Sequence, residues 1–137
     1  MSTESAARTA IDDSKRCPCG TGLTYGECCG PIHRREREPA TAEQLMRSRF
    51  TAFALGDVDW LLASWHPTTR PRSLELDPGI RWLRLDIVGT SAGGPFDREG
   101  TVSFDAHWVA DGTRGAMREL SRFRRDQGWQ YLDGQQR

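Results

Sequence analysis

The sequence predicts an α+β protein in which two helices lie on one face of an antiparallel sheet of about four strands, with a small cysteine-bearing knuckle in front of them. Three observations carry that reading. All four cysteines fall between Cys17 and Cys29. Apolar residues recur at helical spacing after Thr41 and again after Asp57. From Ile80 onward the chain alternates apolar and polar residues and is punctuated by glycine turns.

The knuckle is the run Cys17-Pro18-Cys19-Gly20-Thr21-Gly22-Leu23-Thr24-Tyr25-Gly26-Glu27-Cys28-Cys29-Gly30. Structural Zn²⁺ takes four ligands in a tetrahedron, and thiolate sulfur is a favoured donor. The pairs Cys17/Cys19 and Cys28/Cys29 are separated by a glycine-rich loop that can fold back and join them. Four thiolates around one Zn²⁺ carry a net charge of about −2, which Lys15, Arg16, Arg34, Arg35 and Arg37 would offset. A disulfide, free thiols or another soft metal are the alternatives. Met1–Asp13 lacks the apolar segment of a secretory leader, so a reducing, cytoplasmic setting is expected, which favours metal over disulfide. With four cysteines filling the ligand shell, His33 reads as an exposed loop residue and the site as structural.

Residues 1–14 are small and polar and read as a disordered tail. Residues 15–38 hold the knuckle and a charged linker, and residues 39–137 the larger domain. Lysine plus arginine number 19 and aspartate plus glutamate 19, so no global field draws the chain to nucleic acid. No apolar run approaches the ~20 residues of a membrane span.

Thr41-Ala42-Glu43-Gln44 fits a helix-capping box, and Met46, Phe50, Phe53 and Ala54 give the helix an apolar face. Gly56 stops it. Asp57 caps a second helix with Val58, Leu61, Leu62 and Trp65 on one face, ended by Pro67. Residues 68–79, with Pro71 and Pro78, read as loop.

The expected strands are 80–89, 101–110, 115–125 and 129–133, with Asp111-Gly112 as the hairpin signal. Alternation puts Val102, Phe104, Ala106 and Trp108 on one face. With Asp111 opposite Arg114, Met117, Glu119, Ser121 and Phe123 join that face, as do Trp129 and Tyr131. A longer turn would slip the register while preserving alternation within each strand.

Glu119 is the anomaly, a carboxylate on an apolar face. Burying it costs several kcal/mol unless it is paired or protonated. Arg47 or Arg49 on the first helix is the expected ion-pair partner; the alternative is a cavity carboxylate that binds ligand or moves a proton. Trp65, Phe104, Trp108, Glu119, Ser121 and Tyr131 are the candidate pocket residues; Trp82 and Trp129 are further aromatic residues that would line a cavity or fill core. His66 reads as a helix-end packing residue, and His107 and Asp105 as exposed. Arg118, Arg122 and Arg124 form an outer stripe, read as a solvated face rather than a phosphate site.

Cys17-Pro18-Cys19-Gly20-Thr21-Gly22, Tyr25 and Cys28-Cys29-Gly30 resemble the SEC-C motif, named for the tail of the bacterial SecA translocation ATPase. The resemblance implies that Cys17, Cys19, Cys28 and Cys29 are its metal ligands. The stretches 45–53, 65–67, 119–123 and 129–134 are similar to the bacterial YchJ-like proteins, which join a SEC-C motif to a domain of the nuclear transport factor 2 (NTF2) type. That likeness implies a cone, a curved sheet wrapped round helices with a central cavity. The expectation that follows is a zinc-stabilised binding protein, with the knuckle as a docking surface for another protein, a small ligand in the cone, and a homodimer through the sheet as a further option. The rival is an isomerase-, dehydratase- or hydrolase-type enzyme using Glu119, with RNA or ribosome binding behind it.

Overall fold

The computed structural model describes residues 8–137. The elements run α1 (Cys29–His33), α2 (Ala42–Leu55), α3 (Val58–Ala63), β1 (Arg81–Ala92), β2 (Glu99–Ala110), β3 (Thr113–Arg125) and β4 (Trp129–Gln136). A 3-10 turn at Tyr25–Glu27 precedes α1. The strands form one antiparallel sheet in the order β1-β2-β3-β4. Helix α2 packs on β1, β2 and β4. The core between these layers includes Leu45, Phe50, Leu61, Val102, Phe104 and Phe123, all buried. Each such side chain contributes roughly 1.5–3 kcal/mol by leaving water.

Local sequence explains the helix limits. Thr41 Oγ1 accepts from Gln44 N at 3.1 Å, and Gln44 Oε1 accepts from Ala40 N at 2.8 Å. At the other end Gly56 takes φ 76°, a left-handed angle that glycine adopts without Cβ strain. Asp57 Oδ1 caps α3 by accepting from Trp60 N at 3.0 Å. That helix stops at Ala63, before Pro67, and Trp65 does not share its face. Instead Tyr131 N donates to Ser64 O at 2.8 Å and His66 N donates to Tyr131 O at 2.7 Å, so pairing with β4 draws Trp65 into a short parallel bridge.

The β2–β3 turn differs from expectation by one step. Ala110 faces Thr113, with Asp111 and Gly112 at φ 50° and 75° as the two turn residues. Two positive φ values suit a twisted two-residue hairpin. Every pairing therefore shifts by two residues relative to an Asp111–Arg114 pairing, and a shift of two leaves each side chain on its face. Irregularities at Trp82/Arg84, Ile87/Gly89 and Arg122/Phe123 bend the outer strand pairs, which is how the sheet curves.

The N-terminal expectation needs division. Residues 1–7 of the expected tail lie outside the described residues. Residues 8–14 are tied down: Thr9 N donates to Leu55 O at 2.7 Å, and the Arg8 guanidinium donates to Tyr25 Oη at 2.8 Å and to Asp57 at 3.3 Å. His33, expected as an exposed loop residue, is 5 % exposed. Its Nε2 lies 2.8 Å from Ser48 O and its Nδ1 2.8 Å from Tyr25 Oη. Burial pulls its pKa below the ordinary histidine value. Neutral His33 thus donates to α2 and accepts from Tyr25, bolting the knuckle onto the domain.

Candidate metal centre and adjoining cavity

Two chain segments bring the cysteines together. Cys17 N donates to Leu23 O at 2.9 Å and Tyr25 N to Lys15 O at 2.7 Å, so the segments run back to back. Gly20 and Gly22, at φ 84° and 93°, make the reversal. The sulfurs of Cys17, Cys19, Cys28 and Cys29 all lie within 4.8 Å of one another. Cys19 Sγ is 3.6 Å from Cys28 Sγ, and Cys28 Sγ is 3.9 Å from Cys29 Sγ. A disulfide needs about 2.05 Å, and all four cysteines are free. A tetrahedron with metal–sulfur bonds of about 2.3 Å has sulfur–sulfur edges of about 3.8 Å. Donor type, number and spacing all fit one soft divalent ion.

The surroundings fit as well. Thr21 Oγ1 lies 3.3 Å from Cys28 Sγ, and Thr51 Oγ1, on α2, lies 3.7 Å from Cys17 Sγ. Arg47 Nη1 donates to Cys19 O at 2.8 Å, while its Nε pairs with Glu43 at 2.9 Å. Among themselves the thiols cannot all ionise. Hydrogen bonds from Cys17, Cys28 and Cys29 hold Cys19 well below the ordinary thiol range, whereas Cys28 and Cys29, beside Cys17 and Cys19, are pushed up. A bound cation removes that conflict by letting every sulfur ionise.

The other face of α2 borders a cavity of about 170 Å³ between the helix and the sheet. Of the expected pocket residues, Trp65, Phe104, Glu119, Ser121 and Tyr131 line it. Trp108 is not among its lining residues. Its indole lies over Gly115 on β3, where even an added Cβ would come within 2.4 Å of the ring. Trp129 is also elsewhere, donating from Nε1 to Ala40 O at 3.2 Å. Met46 and Phe53 on α2 and Met117 on β3 line the cavity as well. Their helical and strand periodicity marked them as inward-facing, but core and cavity walls have the same pattern.

Arg49 and Glu119 both border the cavity, and neither expected ion pair forms within 4.0 Å among the described residues. Arg47 is committed to the knuckle. Arg49 is 3 % exposed and spends its Nη1 on Leu61 O at 2.8 Å and Ser64 Oγ at 2.6 Å. Its guanidinium lies over the rings of Tyr131 and Trp65, 4.4 Å and 5.0 Å from their centroids. Burial pulls its pKa down to about 10. Glu119 is pushed up by burial, against a single 3.4 Å hydrogen bond from Ser121. Trp65 Nε1 is buried with no hydrogen-bond partner among the described residues, and its ring stands edge-on to Tyr131.

The remaining candidates are satisfied locally. His66 Nε2 lies 2.7 Å from Asp126 and Nδ1 2.8 Å from Thr68 Oγ1. His107 meets Asp86 at 2.9 Å. In the outer stripe, Arg118, Arg122 and Arg124 lie 3.7, 2.6 and 3.4 Å from Asp105, Asp133 and Asp126. Each arginine of the stripe thus has a carboxylate beside it on the solvent-facing side of the sheet.

Fold and site together define a protein with an NTF2-like domain and a SEC-C motif. Residues 41–134 match the model for the middle NTF2-like domain of YchJ, and residues 14–31 match the SEC-C motif. A UPF0225 protein of Corynebacterium glutamicum is 55 % identical over 121 residues, covering 88 % of this chain and 96 % of the relative. Another from Streptomyces coelicolor is 48 % identical, with 87 % and 94 % covered. The solution structure of RPA3114, a SEC-C motif containing protein from Rhodopseudomonas palustris, superposes with a TM-score of 0.79 at 34 % identity, covering 88 % of this chain and 98 % of that one. A crystal structure of a SEC-C motif containing protein from Psychrobacter arcticus gives 0.73 at 26 % identity, with 88 % and 82 % covered. The chain belongs to the UPF0225 family of YchJ-like proteins. No helix among the described residues is long and apolar enough to cross a membrane.

Proposed function

We propose that this protein is a zinc-braced binding module that holds a small ligand in its NTF2-like cavity and works in the reducing cytoplasm. One observation carries the reading: α2 meets the cysteine cluster through Arg47 and Thr51 and supplies Met46, Arg49, Phe50 and Phe53 to the cavity wall. Cys17, Cys19, Cys28 and Cys29 would hold Zn²⁺ with all four positions filled, so the ion cross-links two segments rather than activating water. The exposed loop around Leu23, 48 % exposed, is the surface offered to a protein partner. Native mass spectrometry of freshly purified, reduced protein tests both parts. One zinc per chain, with a small organic molecule released on denaturation, is expected. Absence of any metal ends the zinc assignment, and absence of any ligand across several expression hosts counts against the cavity.

A second reading rests on Glu119, whose carboxyl is raised by burial in a cavity that also holds Tyr131 and Ser121. Such a group holds its proton longer than an ordinary carboxyl and can act as a proton donor or acceptor. Glu119→Gln abolishing a turnover found by substrate screening, with ligand binding retained, would support it; full turnover in that variant would exclude it.

A further inference from the structure

We infer that the cavity selects an uncharged single-ring aromatic compound whose polar substituent both donates and accepts a hydrogen bond, phenol being the simplest case; this deepens, and rests on, the reading of the domain as a ligand-binding module. Size comes first. The cavity of about 170 Å³ is close to the roughly 150 Å³ at which an apolar protein cavity takes up benzene. One ring with a small substituent fills it.

Charge decides what the substituent is not. Arg49 is the cation of the wall and Glu119 its anion, so the two formal charges cancel. Two aromatic faces and two oxygens on Nη1 already hold Arg49, so what it offers a ligand is Nε and Nη2, donors that a neutral acceptor can fill. A carboxylate on the ring would bring a second negative charge beside Glu119. An ammonium group would bring a second positive charge beside Arg49. In a wall made mostly of aromatic and thioether side chains, either costs more than a neutral group.

Unmet hydrogen bonds decide what the substituent is. Oε1 of Glu119, Oγ of Ser121 and Oη of Tyr131 gather at one end of the site. All three lie within 3.2 Å of the point that a Cβ on Gly134 would occupy. Among the described residues Glu119 accepts only from Ser121, and Tyr131 Oη makes no side-chain hydrogen bond within the cavity. Arg49 Nε and Nη2 are likewise unused, since both of its bonds leave from Nη1. A neutral hydroxyl can donate to Glu119 while accepting from Tyr131 or Arg49, and its ring then lies against Phe50, Phe53 and Trp82.

The test is a titration of the full-length, metal-replete chain with phenol, toluene, benzoate and benzylamine, followed by amide NMR shifts. Phenol is expected to bind about fivefold more tightly than toluene, the worth of one net hydrogen bond. Benzoate and protonated benzylamine should be at least about tenfold weaker than phenol. Shifts should centre on Phe104, Glu119 and Tyr131. Glu119→Ala should bring phenol down to the toluene level while leaving toluene unchanged; Tyr131→Phe gives an independent check should that variant fold poorly. Toluene binding as tightly as phenol overturns the polar selection but leaves the ligand-binding reading standing. Benzoate binding more tightly than phenol overturns the charge argument. If none of the probes binds, this inference falls, while the ligand-binding reading stands or falls on whether native mass spectrometry finds a released molecule.

Discussion

Cys17 Sγ and Thr51 Oγ1 lie 3.7 Å apart, joining the cysteine cluster to the middle of the helix that walls the cavity. With Arg47 reaching Cys19 O and His33 reaching Ser48 O, the knuckle is fixed to α2 at three levels. A change at the cysteine cluster is therefore expected to reach the rest of the domain through α2.

Metal removal should destabilise the whole domain, beyond loosening the knuckle alone. Chelator treatment under reducing conditions, or Cys29→Ser, is expected to lower Tm by roughly 10 °C or more, because metal-binding free energy is folding free energy. Amide exchange in α2 should accelerate in parallel. A metal-free protein with unchanged Tm would show that the cluster does not brace the fold.

Gly100→Ala should be among the most damaging single-methyl additions. A Cβ there would stand 2.4 Å from Gly93 Cα and 2.7 Å from Gly93 N, both backbone atoms that cannot swing aside. Gly93 O also accepts from Ala42 N at 2.9 Å, so a displaced strand end pulls on the start of α2. A loss of about 2–3 kcal/mol in urea unfolding is expected, the upper range of overpacking costs. A loss below about 0.5 kcal/mol, the ordinary range for a surface change, would contradict the close approach.

Glu119 should make stability depend on pH in a definite direction. Burial raises its folded-state pKa above the ordinary 4.5. The folded state therefore holds the proton longer than the unfolded chain, and stability from this group falls as pH rises from about 4.5 through the raised value. Glu119→Gln should be more stable than the parent at pH 7, by under about 1 kcal/mol because the group keeps part of its hydration. The advantage should vanish below pH 4, where both carboxyl states are protonated. A variant less stable at pH 7 would point to a compensating partner for the carboxylate.

Arg49→Lys, though it keeps the charge, should cost about 1–3 kcal/mol. An ammonium cannot reproduce the planar stacking on Tyr131 and Trp65 while also reaching Leu61 O and Ser64 Oγ. Thermal unfolding reads the loss, and tryptophan fluorescence should report the change at Trp65. An unchanged Tm would make the stacking incidental.

Much of this molecule was legible beforehand because the signals are local. Thr41, Gly56 and Asp57 mark helix limits through hydrogen bonds and backbone angles within a few residues of themselves. Strand alternation placed Phe104, Glu119 and Ser121 on one face, and a two-residue register shift could not move them off it. His33 and Trp108 were misread for the opposite reason. His33 is buried by α2 and Tyr25, distant partners that no spacing reveals. Trp108 has the right parity but the wrong height along β2, where Gly115 lets its ring lie flat on the neighbouring strand.

By itself the sequence determined that four thiols would stand in one short loop, that two capped helices would precede a four-stranded meander, and which residues would face inward. Those are consequences of bonded neighbours and of the periods 3.6 and 2. Only the tertiary structure decided that Arg47 serves the knuckle while Arg49 turns into the cavity, that Glu119 has no direct ion-pair partner among the described residues, and that one helix links the cysteine cluster and the pocket. Each of those depends on distances between segments far apart in the chain, set by how α2 crosses the curved sheet.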